Sequence, residues 1–278
     1  MCVASKLISL FFSEIFCRVP CWRNYCCKIE TMEGTLSTEK RIYDPEVTHI
    51  VLPQLAAGGS GGAAEGEQRK HGLRLVLISD THGMHRKMTI PDGDVLIHGG
   101  DFTRHGKLED AVDFNAWLGE LPHARKLVVY GNHECNSDWA RGRGGGGDAA
   151  HLLSNATLLL AQSVVLPSAS GRAPLKVWGE NFFWPMREGE DNPHFGAIPD
   201  DCDVIIAHGP ARGYVDGSGS GCESLARHVL RVRPRMLVSG HIHGAHGAVE
   251  HEGTLYANAA SARRGHGDMG WEPIIVDV

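Results

Sequence analysis

Leu73-Arg-Leu-Val-Leu-Ile-Ser-Asp80-Thr-His82 decides the reading of this chain. An apolar run of strand composition ends in turn-forming residues, and the turn carries a carboxylate and an imidazole two positions apart. The arrangement recurs downstream. Val95-Leu-Ile97 runs into His98-Gly-Gly-Asp101, and Leu127-Val-Val-Tyr130 into Gly131-Asn-His-Glu134. Val204-Ile-Ile-Ala207 runs into His208-Gly-Pro210, and Met236-Leu-Val-Ser239 into Gly240-His-Ile-His243. Runs apolar on both faces suit central strands with layers above and below. Polar groups spread this far along the chain meet only if the runs are neighbouring strands that end on one edge.

Helical spacing separates the runs. Residues 108–121 place apolar side chains at 108, 111, 112, 114, 117, 118 and 121, with Pro122 as a stop. Residues 222–232 set Leu225, Val229 and Val232 on one side, and Pro234 closes the helix. Residues 149–160 read as a helix or a helix plus a strand, and 253–257 and 273–278 as closing strands. Strands alternating with helices predict an α/β layered architecture.

The length, 278 residues, suits one domain plus an extension. Residues 1–70 read as a low-structure extension ending in a Gly/Ala-rich linker at 56–67, and residues 71–278 as the domain. The apolar stretch 7–16 is broken by Glu14 and is short for a signal-peptide core. The cysteines at 17–27 fit an unstructured leader better than a palmitoylation or metal site, and Met32 offers an alternative start. Cys135, Cys202 and Cys222 are scattered, which points to a reducing compartment, with cytoplasm the expected location and targeting or lipidation of the leader left open. A net charge of −6 argues against a strongly basic face, so no long nucleic acid is expected as a partner. No run reaches the roughly 18 apolar residues of a membrane span. A dinucleotide-binding domain is disfavoured because no Gly-x-Gly-x-x-Gly opens a helix after the first run. The Gly-rich stretch 141–147 lacks the Lys-Ser/Thr of a phosphate-binding P-loop and reads as a lip beside the Asn132-His133 turn.

The turns hold the ligands that a pair of divalent cations needs. Asp80 and His82 can face one ion. Asp101 follows two glycines that let the backbone bend, and its carboxylate is placed to bridge two ions. Asn132 offers a neutral oxygen, His208 and His241 offer nitrogen, and His243 reaches the other ion. Such coordination keeps positions for water and substrate, which marks a catalytic site. Mixed N/O ligation without thiolate suits Mn, Fe or Zn, with Mn the expected activator in vitro. Each turn alone is a weak signal in a chain with 17 histidines. Their joint presence, in this order and each after a strand, is specific.

These segments resemble the calcineurin-like metallophosphoesterase superfamily from about residue 73 to the C-terminus. His98-Gly-Gly-Asp-Phe-Thr103, Gly131-Asn-His-Glu134, His208-Gly-Pro210, Arg231-Val-Arg-Pro234 and Tyr256-Ala-Asn-Ala259 are similar to its metallophosphoesterase-domain-containing subfamily. The resemblance implies a four-layer α/β/β/α sandwich with the site at the strands' carboxyl ends. It implies one metal at Asp80, His82, Asp101 and His243, and a second at Asp101, Asn132, His208 and His241. It also implies His133 as the catalytic histidine near the leaving group. In protein phosphatases of the superfamily a second Asp stands three residues after the bridging one; here that position is Arg104, which makes a phosphoprotein substrate less fitting and leaves the partner of His133 open. Some animal members carry Gly in place of the first His of Gly-His-x-His; His241 is present here, so a complete dinuclear centre is expected.

The implied reaction is hydrolysis of a small phosphodiester, such as a cyclic nucleotide, by metal-activated hydroxide, with Asp101 holding the metals and His133 protonating the leaving oxygen. The alternative is a slow or non-catalytic regulatory module of the same fold that binds metal or nucleotide. Arg104 is a candidate contact for substrate phosphate, weighed equally against a surface arginine. Trp178, Phe182, Phe183, Trp184 and Pro185 either wall a pocket or, by preference, pack in the core. Glu134 and His246 are expected to support the ligands. His85, His105 and His194 receive no role. Oligomeric state stays open.

Overall fold

The apolar runs become strands, and the polar turns after them become the loops of a single edge. The computed structural model describes residues 40–52, 72–142, 149–167, 173–183 and 187–278. In chain order the first half holds β1 (Arg41–Tyr43), β2 (His49–Val51), β3 (Arg74–Ile78), β4 (Val95–His98), α1 (Leu108–Glu120), β5 (Arg125–Val128), α2 (Asn132–Cys135), α3 (Ala149–Leu152) and β6 (Thr157–Leu158). The second half holds β7 (Gln162–Leu166), β8 (Leu175–Glu180), β9 (Val204–Ala207), α4 (Glu223–Val232), β10 (Met236–Ser239), β11 (Gly247–His251), β12 (Thr254–Asn258) and β13 (Ile274–Asp277). Residues 149–160 thus resolve as a helix plus a strand.

Among the described residues there are two sheets. One runs β2-β13-β3-β4-β5-β6, the other β1-β11-β12-β10-β9-β8-β7. In the first, β3, β4 and β5 are parallel, with Leu75 opposite Val95 and Val95 opposite Arg125. In the second, β8, β9, β10 and β12 are parallel.

Strand alternation sorts the core into three apolar layers. Leu75, Leu77, Val95, Ile97 and Leu127 point at Val177, Val204, Ile206, Val238 and Leu255 of the other sheet. Their alternates Val76, Ile78, Leu96 and Val128 pack outward on Ala111, Phe114, Trp117 and Leu118 of α1. On the far side Ile205, Leu237 and Tyr256 pack on Leu225, Val229 and Val232 of α4. The result is the helix–sheet–sheet–helix stack expected from the motifs. Each fully buried Leu, Ile or Val stabilises it by about 1.5–3 kcal/mol relative to exposure.

Two details depart from the sequence reading. Leu108 and Val112, counted in the apolar stripe of α1, are 43% and 53% exposed, because only the 111–114–118 side of the helix faces the sheet. Strands β1 and β2 fall inside the stretch assigned to the extension. β1 pairs with β11 and β2 with β13, so each is an outer strand added to a formed sheet. The leader with its cysteines, the 56–67 linker and residues 143–148 of the Gly-rich lip lie outside the described residues. None of the described helices is long and apolar enough to cross a membrane.

Candidate metal centre

The strand ends bring the polar turns together through backbone bonds. The N–H of Asp80 donates to the carbonyl of Gly100 at 2.9 Å, and that of His82 to Asp101 at 3.0 Å. The N–H of Gly240 donates to the carbonyl of His208 at 2.8 Å. Across the sheets, the N–H of His241 donates to Asp80 Oδ2 at 2.9 Å.

The turns are strained where the ligands sit. Asp80, His82, Asp101 and His241 all have positive φ, between 44° and 66°. Non-glycine residues in this region cost of order 1–3 kcal/mol each, and such strain clusters at functional sites. The carboxylates also need bare backbone beside them. A Cβ on Gly131 would lie 2.1 Å from Asp101 Oδ1, and one on Gly240 would lie 2.1 Å from Asp80 Oδ2.

Two ligand groups result. Asp80, His82 and His243 form one, and Asp101, His208 and His241 the other. In the first, His82 Nε2 lies 3.1 Å from His243 Nε2, and His243 Nε2 lies 3.2 Å from Asp80 Oδ1. In the second, His208 Nε2 lies 3.3 Å from Asp101 Oδ2 and 3.9 Å from Asp80 Oδ1, so it stands between the groups. His208 Nδ1 donates to the Gly99 carbonyl at 2.8 Å, which turns Nε2 towards the centre.

These residues fit a pair of divalent cations. The buried Asn132 Oδ1 makes no hydrogen bond, an arrangement that is rare and expensive unless something else meets it, and His208 Nε2 makes none either, with the Asp101 carboxylate 3.3 Å away. Burial lowers the pKa of His82 and of His241 to about 4, so both are neutral and ready to ligate. Burial also opposes a charge on His208, yet Asp101 and Asp80 push its pKa up to about 9. Burial would raise the carboxyl of Asp80, but His208 and His243 hold it well below the usual carboxylate range. The pocket therefore demands positive charge at its centre, which a divalent cation supplies.

His133 lies at the lip of this floor. Its N–H donates to Asp101 Oδ1 at 2.9 Å, and its Nε2 lies 3.7 Å from Asp101 Oδ2. The backbone N–H of His105 donates to His133 Nδ1 at 2.9 Å. The same Nδ1 lies 3.2 Å from the Thr103 carbonyl, so two main-chain groups, one donor and one acceptor, hold the ring with Nε2 towards the centre. The partner of His133 is thus main chain, and the Arg104 position does not supply it. No side-chain motif could have announced this.

Glu134 is fully buried beneath the Asp101 loop. It accepts from the N–H of Asp101, Thr103 and Gly131 at 2.8, 2.9 and 3.0 Å, and from the Thr103 hydroxyl at 2.6 Å. Burial, then the charge of Asp101, raise its pKa to about 7, and the donors work against the rise. His246 Nδ1 donates to the Ala260 carbonyl, 2.9 Å away, and its ring stacks on Trp271. Trp271 in turn donates to the His243 carbonyl at 3.2 Å.

The remaining candidates separate. Arg104 is exposed, and its N–H donates to Asp110 Oδ2. Trp178 packs in the layer against α4. Phe182 is buried against the rings of His208 and His241, with centroids 5.3 and 5.0 Å away. It lines, with Phe183 and Phe195, a cavity of about 10 Å³, room for one water and not for a base. Trp184 and Pro185 lie outside the described residues. His85 pairs with Asp113, and His194 stacks on Phe183. His266 is the residue that sequence reasoning passed over. It sits between two glycines with no strand before it, and it forms a third group with His82 and His133.

Comparison with known proteins places this geometry. A family model for calcineurin-like phosphoesterases matches residues 73–245. The UPF0046 protein K07C11.7 of Caenorhabditis elegans is 36% identical over 210 residues, 70% of this chain and 71% of that protein. Metallophosphoesterase domain-containing protein 1 of Homo sapiens is 30% identical over 238 residues, 74% of this chain and 71% of that one. Phosphopantetheinyl hydrolase from Mycobacterium tuberculosis superposes with a TM-score of 0.48 at 15% identity, over 73% of this chain and 95% of that one. Two sheets faced by helices, ligand-bearing turns on one strand edge and a match across those turns lead to one conclusion: the chain belongs to the calcineurin-like phosphoesterase family.

Proposed function

We propose that the protein is a dinuclear phosphodiesterase that hydrolyses small diesters such as cyclic nucleotides. The observation that carries the reading is the pair of adjoining Asp/His groups, with Asn132 Oδ1 buried beside them and making no hydrogen bond. Asp80, His82 and His243 would hold one cation, and Asp101, Asn132, His208 and His241 the other, with Asp101 reaching both. When bound, two divalent cations neutralise phosphoryl charge and acidify an attacking water.

The chain's own residues do the rest. Asp101 is fixed by His133 N–H on one oxygen and presents the other to the centre. His133 Nε2 faces the same space and, when it carries the proton, donates to the departing oxygen. Phe182 closes the side of the site next to His208 and His241 and keeps water from that flank.

The test is Mn²⁺-dependent hydrolysis of bis(p-nitrophenyl) phosphate by the full chain, beside p-nitrophenyl phosphate and the Asp101→Asn variant. Diester turnover that exceeds monoester turnover and disappears in the variant is the expected result. Folded, metal-loaded protein without turnover would favour the non-catalytic regulatory module instead.

A further inference from the structure

A hairpin near the C-terminus delivers a residue to the site that none of the metal-binding turns contains. It starts at Ser261, whose N–H donates to the carbonyl of Ser79, the neighbour of Asp80, at 2.8 Å. Ala262 and Met269 pair across it, and the N–H of Arg263 donates to the Asp268 carbonyl at 2.7 Å. Its far end is Trp271, whose indole bonds the His243 carbonyl while its ring stacks on His246 and lies 5.0 Å beneath the Arg263 guanidinium. Both ends of the hairpin are therefore tied to residues that carry or adjoin Asp80 and His243.

The tip carries His266. Its ring centroid lies 4.4 Å from His82 and 4.7 Å from His133. Ring nitrogens of His82, His133 and His266 come within 4.8 Å of one another. This third group differs from the other two in chemistry: it has no carboxylate. His82 Nε2 is already turned to Asp80 and His243. A cation placed among the three imidazoles would have no carboxylate among its own ligands, Asp80 and Asp101 being turned to the other two groups, whereas a phosphoryl oxygen would find N–H donors.

We propose that His266 is a substrate contact that donates a hydrogen bond to a phosphoryl oxygen, across from His133. The proposal rests on the phosphoesterase reading and adds a residue to it. It explains why the hairpin is anchored at both ends: a donor on a loop contributes to binding only if the loop is held in place beforehand.

The experiment uses the full chain loaded with Mn²⁺, as wild type, His266→Ala and His266→Gln. Metal content is measured by mass spectrometry, inorganic phosphate binding by calorimetry, and KM and kcat with bis(p-nitrophenyl) phosphate. Metal content should stay at the wild-type value in both variants. Phosphate affinity and kcat/KM should each fall about tenfold or more in His266→Ala, the effect of losing one hydrogen bond to a charged group. His266→Gln should recover part of the phosphate affinity, because its amide can donate. Unchanged phosphate affinity and KM in His266→Ala would overturn the proposal, and so would loss of a metal equivalent, which would make His266 a ligand. Wild type that binds phosphate but turns nothing over would sink the phosphoesterase reading alone, and the contact would still be judged by the phosphate affinities.

Discussion

The carboxylate of Glu134 accepts the backbone N–H of Asp101 at 2.8 Å, so one buried acid fixes the turn that presents another. The same carboxylate holds Gly131 and Thr103, which lie on either side of that turn. Glu134→Gln puts an amide N–H₂ among three backbone N–H groups, which can only donate. Stability should fall by about 2–4 kcal/mol, the range for a buried acceptor lost from its donors. Mn²⁺ affinity should fall 10–100-fold, as for groups that orient metal ligands. Urea titration and metal calorimetry read the two effects, and a variant with wild-type values in both would show that the loop holds without Glu134.

His133→Ala should retain metal and lose about 10²–10⁴ in kcat, the usual contribution of a positioned general acid. The loss should shrink as the leaving group becomes more acidic, because a good leaving oxygen does not need the Nε2 proton. A series of aryl methyl phosphates measures this. An equal loss along the series would remove the acid role.

Gly131→Ala places a methyl group where Asp101 Oδ1 now sits, 2.1 Å away. The carboxylate must move, so metal binding at the Asp101 group should weaken more than global stability does. Gly142→Ala is the control, since nothing lies within 4 Å of a Cβ there, although its φ of +67° adds a small backbone cost. Metal content and melting temperature of the two variants, measured together, test the contrast.

Asp277 ties the outer strand β2 to the sheet. Its carboxylate bonds Arg74 at 2.8 Å and His49 at 2.9 Å, and these bonds lower its pKa from 3.8 to about 2. A depressed carboxylate stabilises the fold above its ordinary pKa, and that contribution fades as pH falls from about 4 to about 2. Asp277→Asn should melt a few degrees below wild type at pH 6–8, for about 1 kcal/mol, and the gap should close by about pH 2. A gap that stays constant down to that pH would assign it to packing.

Removing the metals should destabilise the protein. Asp80 and Asp101 are buried close together, and a ligand that binds only the folded state stabilises it by mass action. Excess EDTA should lower the melting temperature by several degrees, and Mn²⁺ should restore it. No shift in either direction would mean that the groups do not hold metal under those conditions.

The strand runs, both main helices and a layered α/β architecture were legible in the sequence, because burial on two faces leaves a composition that flanking turn residues delimit; the four-layer stack was implied only by the family resemblance. The ligand-bearing turns were legible for a related reason. A strand end is a fixed point of the fold, so Asp80, Asp101, Asn132, His208 and His241, each just past one, share an edge once the strands are neighbours. Other features exist only in three dimensions. β1 and β2 are three residues each, with Ile42 and Val51 exposed, and pairing with a formed sheet orders them, not their own pattern. Leu108 and Val112 fit a helical stripe, but the width of the contact with the sheet decided which of the stripe was buried. The main-chain groups of His105 and Thr103 that hold the ring of His133 have no side-chain signature. His266 reaches His82 and His133 because a hairpin folds back from β12, and nothing local in Gly-His-Gly records that path.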